Sequence, residues 1–450
     1  MKLKFSIFAL AFCCLLVVLY SIKNPIGQVF SGQAYVRQNA GDLDGAIKNY
    51  SRAIRLEKKP ANAYYNRGLA KSAKGDSKGA IEDYSRAVEL DPGLSMAYRA
   101  RGMERLKKDP EEAIKDFSMA ILRDPSAENY YCRGYAKSEQ SKWEEASADF
   151  DLALKADPRY VTAYLGRASI KTFKGDIQGA KADYGRALEI DPQNATARYA
   201  RAMASSTNLT EVVSELDQAI RNDPTLAEAY YARGNIKTRQ HKWEEALTDY
   251  NRALELKPRM IEALMQRGAV KHRKGQTLAA IQDYDKAVEI NPNVNQIYLA
   301  RGQSHSALQE WAAALKDYRK YCEKGTTTNV DYAAINIWIC RARQNEGAAA
   351  TAELTAYFTG HPGTWAAKVA KHLEGNLTRE ELIKEAQATS DDTIKQQQLC
   401  EAYYYTGVKK LIAGEKESAR EDFKRCIDTE VEDFVEYNYA REELRRMAKP

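Results

Sequence analysis

Residues 61–94 read ANAYYNRGLAKSAKGDSKGAIEDYSRAVELDPGL, and residues 227–260 read AEAYYARGNIKTRQHKWEEALTDYNRALELKPRM. The two blocks align without a gap. Blocks of the same pattern set Pro92, Pro125, Pro158, Pro192, Pro224, Pro258 and Pro292 at intervals of 32–34 residues, the period of a helix-turn-helix repeat. Nine units follow, beginning near residues 27, 61, 95, 127, 161, 195, 227, 261 and 295 and covering 27–324.

Each unit carries its own folding instructions. Helix A has an aromatic at its fourth position, as in Tyr64, Tyr98, Tyr130, Tyr164, Tyr230 and Tyr298, and a small residue four later, as in Gly68, Gly102 and Gly134. Helix B brings Ala80, Ala146, Ala180, Ala246, Ala280 or Ala314, then an aromatic four residues on, as in Tyr84, Phe150, Tyr184, Tyr250, Tyr284 and Tyr318. A spacing of four keeps these side chains on one apolar stripe. Gly75, Gly175 and Gly275 supply a turn tolerant of positive φ, and the terminal Asp-Pro disfavours continued helix. The sixth unit is the most degraded, with Leu216 in place of the helix B aromatic.

Composition agrees with an array. A chain of 450 residues would ordinarily hold about three compact domains, but repeats replace the single core here. A net charge of +6 with 29% charged residues leaves no concentrated basic stripe for nucleic acid. Tyrosine is abundant at 28 and histidine scarce at 5, a balance suited to packing and contact rather than acid-base or metal chemistry. The sequence has no HExxH, CxxC, GxxxxGK or GxSxG. No catalytic residue, metal, cofactor or small-molecule substrate is therefore expected. Cys132, Cys322, Cys340, Cys400 and Cys426 are scattered and read as buried small residues rather than a disulfide framework.

Two charged columns run through the repeats. The seventh position of helix A is Arg67, Arg101, Arg133, Arg167, Arg201, Arg233, Arg267 and Arg301, and the residue before the helix B aromatic is Asp83, Asp116, Asp149, Asp183, Glu215, Asp249, Asp283 and Asp317. A second basic column, including Lys71, Arg105, Lys137, Lys171, Lys237 and Lys271, lies four residues after the arginines. The expectation is a structural ladder of arginine–carboxylate pairs pinning helix A to helix B; the alternative is two solvated columns that coexist.

Aromatic, small, small, aromatic, alanine and proline at this spacing resemble the tetratricopeptide repeat over residues 27–322. The resemblance implies an all-α, right-handed superhelical solenoid that binds other proteins, with helix A lining a concave groove. Its fifth positions here include Tyr65, Arg99, Tyr131, Leu165, Tyr199, Tyr231, Met265 and Leu299; its ninth include Met103, Tyr135, Met203 and Asn235. Aromatic and methionine side chains there suit an extended peptide or a helix, although the fifth-position tyrosines could equally pack on neighbouring repeats. Co-chaperones that grip a C-terminal carboxylate pair lysine at the fifth position with asparagine at the ninth, and no unit here does.

Ahead of the array, residues 5–22 form an uncharged, mostly apolar run of 18 residues, about 27 Å as a helix and near the minimum for a membrane span. Lys2 and Lys4 before it predict an N-terminus on the cytoplasmic side and repeats outside. The alternative is a signal peptide cleaved near 29–31 or 32–34, which would cut into the first repeat.

After the array, 325–399 reads as a degenerate helical region containing a helical pair at 332–358, a break at HPGTW (361–365) and a helix start at Thr378. A repeat returns at 400, followed by a charged capping helix within 400–450. LCEAYYYTGVKKLIAGEKESAREDFKRCI, DFVEYNYAREEL and Trp365 resemble the C-terminal half of NlpI-like bacterial envelope proteins. That resemblance implies an extracytoplasmic scaffold for envelope proteins such as peptidoglycan hydrolases, synthases or a periplasmic protease. Those relatives are anchored by a lipidated cysteine, which the 5–22 helix would replace here. A co-chaperone or assembly factor is the alternative function.

Overall fold

A computed structural model describes residues 25–204, 208–323, 329–360, 363–432 and 434–448. The apolar run at 5–22 lies outside the described residues, and among them no helix is long and apolar enough to cross a membrane. The described residues contain helices and no strand. The chain divides between Pro224 and Thr225 into two compact units, so the division falls inside the repeat array rather than at its end.

The first unit is a stack of helical pairs. Helix α1 (25–39) packs with α2 (Leu43–Leu56), α3 (Ala61–Ala73) with α4 (Ser77–Leu90), and α5 (Ser95–Arg105) with α6 (Pro110–Arg123). The remaining pairs are α7 (Ala127–Glu139) with α8 (Trp143–Ala156), α9 (Val161–Phe173) with α10 (Ile177–Ile190), and α11 (Ala195–Ala204) with α12 (Leu209–Asn222). Each B helix also packs on the A helix that follows it within the unit. Asp42, Asp76, Asp109 and Asp176 cap B helices by accepting a backbone N–H three residues on.

The second unit begins with three such pairs: α13 (Ala227–Arg239) with α14 (Trp243–Leu256), α15 (Ile261–Arg273) with α16 (Thr277–Ile290), and α17 (Asn295–Ala307) with α18 (Trp311–Cys322). Helices α19 (Asn329–Ala342) and α20 (Gly347–Phe358) form the next pair, and the regular order then stops. Short α21 (Trp365–Glu374) and α22 (Arg379–Gln387) intervene, with Thr378 and Glu381 completing a reciprocal cap at the start of α22. The last repeat pairs α23 (Asp392–Ile412) with α24 (Lys416–Ile427); α23 starts eight residues earlier than the repeat pattern marks, because Asp391 caps it. The terminal helix α25 (Val435–Met447) does more than cover the end of the array, since its Arg446 guanidinium donates to the Ala307 carbonyl at the end of α17.

What holds a pair together is the helix B aromatic driven against the small residue of helix A. Tyr50, Tyr84, Phe117, Phe150, Tyr250, Tyr284, Tyr318 and Phe423 are all buried, and Leu216 fills the same place in the sixth repeat. Burying each such side chain contributes roughly 1.5–3 kcal/mol. The approach is tight: a Cβ on Gly234 would lie 2.8 Å from the Tyr250 ring. Ala168 and Ala202 occupy this position in the fifth and sixth repeats, so a single methyl is accommodated by a small shift. The turn between helices is the other fixed point. Gly75, Gly175 and Gly275 have φ of 86°, 81° and 78°, and Ser141, His241 and Gln309 take the same left-handed conformation at 58°, 57° and 60° without glycine's freedom.

Replacing Gly234 by valine is expected to destabilise the second unit by roughly 1–3 kcal/mol, measured by urea unfolding, with Gly234→Ala falling between valine and the parent.

Candidate functional site

The fifth and ninth positions of helix A share a face, about 40° apart, whereas the seventh lies about 200° from the fifth. The repeats therefore carry two distinct surfaces, a charged spine on one side of helix A and an apolar row on the other.

On the spine, every arginine meets its acid. The Arg67, Arg101, Arg133, Arg167 and Arg233 guanidiniums approach Asp83, Asp116, Asp149, Asp183 and Asp249 at 2.6 Å. Arg201 reaches Glu215 at 2.6 Å, Arg267 reaches Asp283 at 2.5 Å, and Arg301 reaches Asp317 at 2.7 Å. In the aspartate pairs Nε and Nη2 both donate, as from Arg133 to the two Asp149 oxygens at 2.9 and 2.6 Å, the forked geometry that lysine cannot make. The second basic column converges on the same acid: Lys71, Lys137, Lys171 and Lys237 each lie 2.9 Å from it. The aspartates are buried while the cations are part-exposed, so the acid bears the desolvation and its two partners must offset it. Asp183 shows the balance: burial pushes its carboxyl up, but hydrogen bonds and charge from Arg167 and Lys171 outweigh this and hold it below the usual range.

The arginine has further partners that the two columns do not reveal. Nη1 reaches back to helix B of the preceding repeat, as from Arg67 to Ser51 at 2.9 Å, Arg167 to Asp151 at 2.6 Å, Arg267 to Asn251 at 2.7 Å and Arg301 to Asp285 at 2.7 Å. Its guanidinium also lies over the ring three residues earlier, at 5.3 Å for Arg67 on Tyr64 and 5.6 Å for Arg233 on Tyr230. One side chain thus ties three helices. In the last repeat the seventh position is Thr406, yet Asp422 is still buried before Phe423. Arg379 of α22 supplies the missing guanidinium at 2.6 Å, lies 5.7 Å from the Tyr403 ring, and is joined on Asp422 by Lys410 at 2.7 Å. The sequence signal for this was an acid left without its usual arginine.

On the opposite face, the fifth-position side chains are half-buried. Tyr65 packs 6.0 Å from Tyr84 and Tyr231 6.2 Å from Tyr250, while Tyr131 lies 5.7 Å from both Phe150 and Tyr160. Leu165, Met265 and Leu299 pack against the buried clusters of their repeats, and Tyr199 is likewise half-buried. Arg99 pairs with Glu128 at 3.0 Å and donates to Asn129 at 3.1 Å. Asn235 accepts from the Tyr250 hydroxyl at 2.8 Å, so its carbonyl is engaged within the repeat. Exposed apolar area comes instead from the ninth and thirteenth positions of the first unit: Met103 is 50% exposed, Tyr135 38%, Met203 42% and Phe173 69%. Phe173 was not singled out from the sequence, although it lies four residues after Ser169 on the same face; its ring sits 4.8 Å from Trp143.

The second unit also buries carboxylates away from the spine, Glu401 and Glu436 among them. Glu401 accepts from the Tyr332 hydroxyl at 2.9 Å and the Trp365 indole at 3.0 Å, and Glu436 accepts from Tyr405 at 3.0 Å. Burial, and for Glu401 the nearby Glu436 charge, pushes the Glu401 carboxyl well above the usual range; burial also raises the Glu436 carboxyl. Among the described residues no cluster of histidine, cysteine or acidic side chains could hold a metal ion.

Tetratricopeptide-repeat family models match residues 61–94, 161–194 and 234–305, and a further repeat model of the same kind matches 32–75. The chain therefore carries tetratricopeptide repeats. Among solved structures it is similar to a tetratricopeptide repeat protein from Parabacteroides merdae, 18% identical over 62% of this chain and 98% of that one, with a TM-score of 0.41. PilF of Pseudomonas aeruginosa is 21% identical over 46% of this chain and 95% of its own, with a TM-score of 0.40. Yeast Tom70 is 16% identical over 94% and 96%, with a TM-score of 0.35. No curated protein matches the sequence.

In a double-mutant cycle, Arg133→Ala and Asp149→Ala are expected to couple by about 1–3 kcal/mol in denaturant unfolding, and additive losses would mean that the pair does not act as one. A second expectation concerns pH. The folded-state pKa of Glu401 is raised, so its contribution is fully present below the unfolded value of about 4.3 and is lost as pH rises towards the folded value. Glu401→Gln removes this loss, so its stability relative to the parent should climb as pH rises above the unfolded value, read from urea midpoints.

Proposed function

We propose that this protein is a non-catalytic scaffold that binds segments of other proteins along the helix A face of its first unit. The observation that carries the reading is the row of exposed Met103, Tyr135, Phe173 and Met203 on successive A helices, beside half-buried Tyr65, Tyr131 and Leu165. Methionine and aromatic side chains adapt to varied apolar partners, and a row repeated along a stack suits an extended peptide or a helix rather than a compact small molecule. The half-buried fifth positions stiffen the floor, and the exposed positions make the contact.

The protein works at the bacterial envelope, held in the inner membrane by the apolar run at 5–22 with its repeats outside. Two features support this: the lysine-flanked apolar run, and the resemblance of the C-terminal section to NlpI-like envelope proteins. Its partners on this reading are envelope proteins such as peptidoglycan enzymes or a periplasmic protease.

The test is a crosslinked pull-down from solubilised membranes with the full chain and a Met103→Glu, Tyr135→Glu, Phe173→Glu variant whose helicity matches the parent. Capture of envelope enzymes reduced at least tenfold in the variant is the expected result. Equal capture would move the binding surface elsewhere, and capture of unfolded or nascent chains alone would replace the scaffold by a chaperone-like role.

A further inference from the structure

In the last repeat, Cys400 opens the paired part of helix A and Cys426 occupies the helix B column filled by Ala87, Ala153, Ala187, Ala253 and Ala287 elsewhere. Those alanines are buried where the two helices touch, and so are both cysteines. The sulfurs lie 3.2 Å apart, within van der Waals contact, and the Glu436 carbonyl of α25 lies 3.8 Å beyond Cys426. Two cysteines facing each other across the contact between one repeat's helices is a different situation from five scattered small residues. A disulfide needs the side chains directed at one another at short range, and sulfurs 3.2 Å apart across a helix contact meet that need.

We propose that Cys400 and Cys426 form a disulfide that staples α23 to α24 and closes the C-terminal repeat covalently. The oxidant is a protein or small-molecule disulfide that meets the chain while it folds, before α25 covers the pair. One thiol loses its proton and attacks the oxidant's disulfide, forming a mixed disulfide and releasing one oxidant thiolate. The second cysteine, deprotonated in turn, displaces the remaining oxidant sulfur; the chain is left with one S–S bond, two protons are released to the oxidant's thiolates, and the oxidant ends as two thiols. The hydrogen bond from Cys426 holds the Cys400 thiol below its usual range, which favours the first deprotonation once the two are near each other. The bond removes conformations from the unfolded chain across a loop of more than twenty residues, strengthening a part of the protein where the regular stacking has lapsed.

The test is refolding of the full chain with oxidised glutathione as the disulfide oxidant. Free thiols are alkylated without reductant, and the digest is analysed by mass spectrometry. The expected result is a linked peptide pair joining Cys400 to Cys426, lighter by two hydrogens than its parts, with Cys132 alkylated. Reduction should lower the urea midpoint of the oxidised parent, whereas Cys426→Ala, which restores the alanine of the other repeats, should keep its helicity and show no response to reductant. Alkylation of both Cys400 and Cys426 after refolding, or the same reductant response in Cys426→Ala, would overturn the proposal.

Discussion

A carboxylate buried between two helices has to be met by positive charge, and in this protein that requirement recurs in repeat after repeat. Asp83, Asp116, Asp149, Asp183, Asp249, Asp283 and Asp317 are all buried. An uncompensated charge there would cost more than the packing of a single aromatic recovers. Each acid is met by a forked arginine from its own helix A. In most of these repeats the same guanidinium lies on an aromatic ring and, in several, it reaches helix B of the repeat before. Register within a pair and stacking between pairs are thereby coupled through one side chain. Apolar contact alone would bring the helices together, but it is non-directional, whereas the fork accepts one alignment.

The C-terminal repeat shows how firm the requirement is. Helix A there has Thr406 in place of arginine, and the buried Asp422 takes its guanidinium from Arg379, on a helix the regular repeats do not possess. The cation–ring contact is preserved with Tyr403. Irregular α21 and α22 are therefore more than a degenerate stretch of the array, since α22 completes the last repeat. The same region carries Glu401 and Glu436 on tyrosine and tryptophan donors without a cation of their own, which explains why burial drives both carboxyls upward while Asp183 moves down.

The spine and the exposed apolar row lie on opposite sides of helix A, so the residues that set the scaffold are separated from the exposed apolar ones. This separation lets the ninth position vary, as Leu69, Met103, Tyr135, Ser169 and Met203 do, without disturbing the stack. A binding face that changes from repeat to repeat on a constant frame can read a long segment position by position. That property belongs to the solenoid and to no single pocket.

The repeat period, the helix pairs, the buried aromatics and the two charged columns were legible in the sequence because each depends on residues close together in one supersecondary unit. Arg133 and Asp149, for example, are only 16 residues apart and recur in phase. Family-model matches over four segments agree with that reading. What only the tertiary structure decided involves contacts without a fixed spacing: Arg379 reaching Asp422 across 43 residues, Tyr332 donating to Glu401 across 69, and Arg446 meeting the end of α17. It also decided which side chains stay exposed, placing the fifth-position tyrosines half under their neighbours and leaving Met103, Tyr135, Phe173 and Met203 in the open. Periodicity names the face on which a residue stands, but its exposure is set by the bulk of the neighbouring helices, and that follows from packing alone.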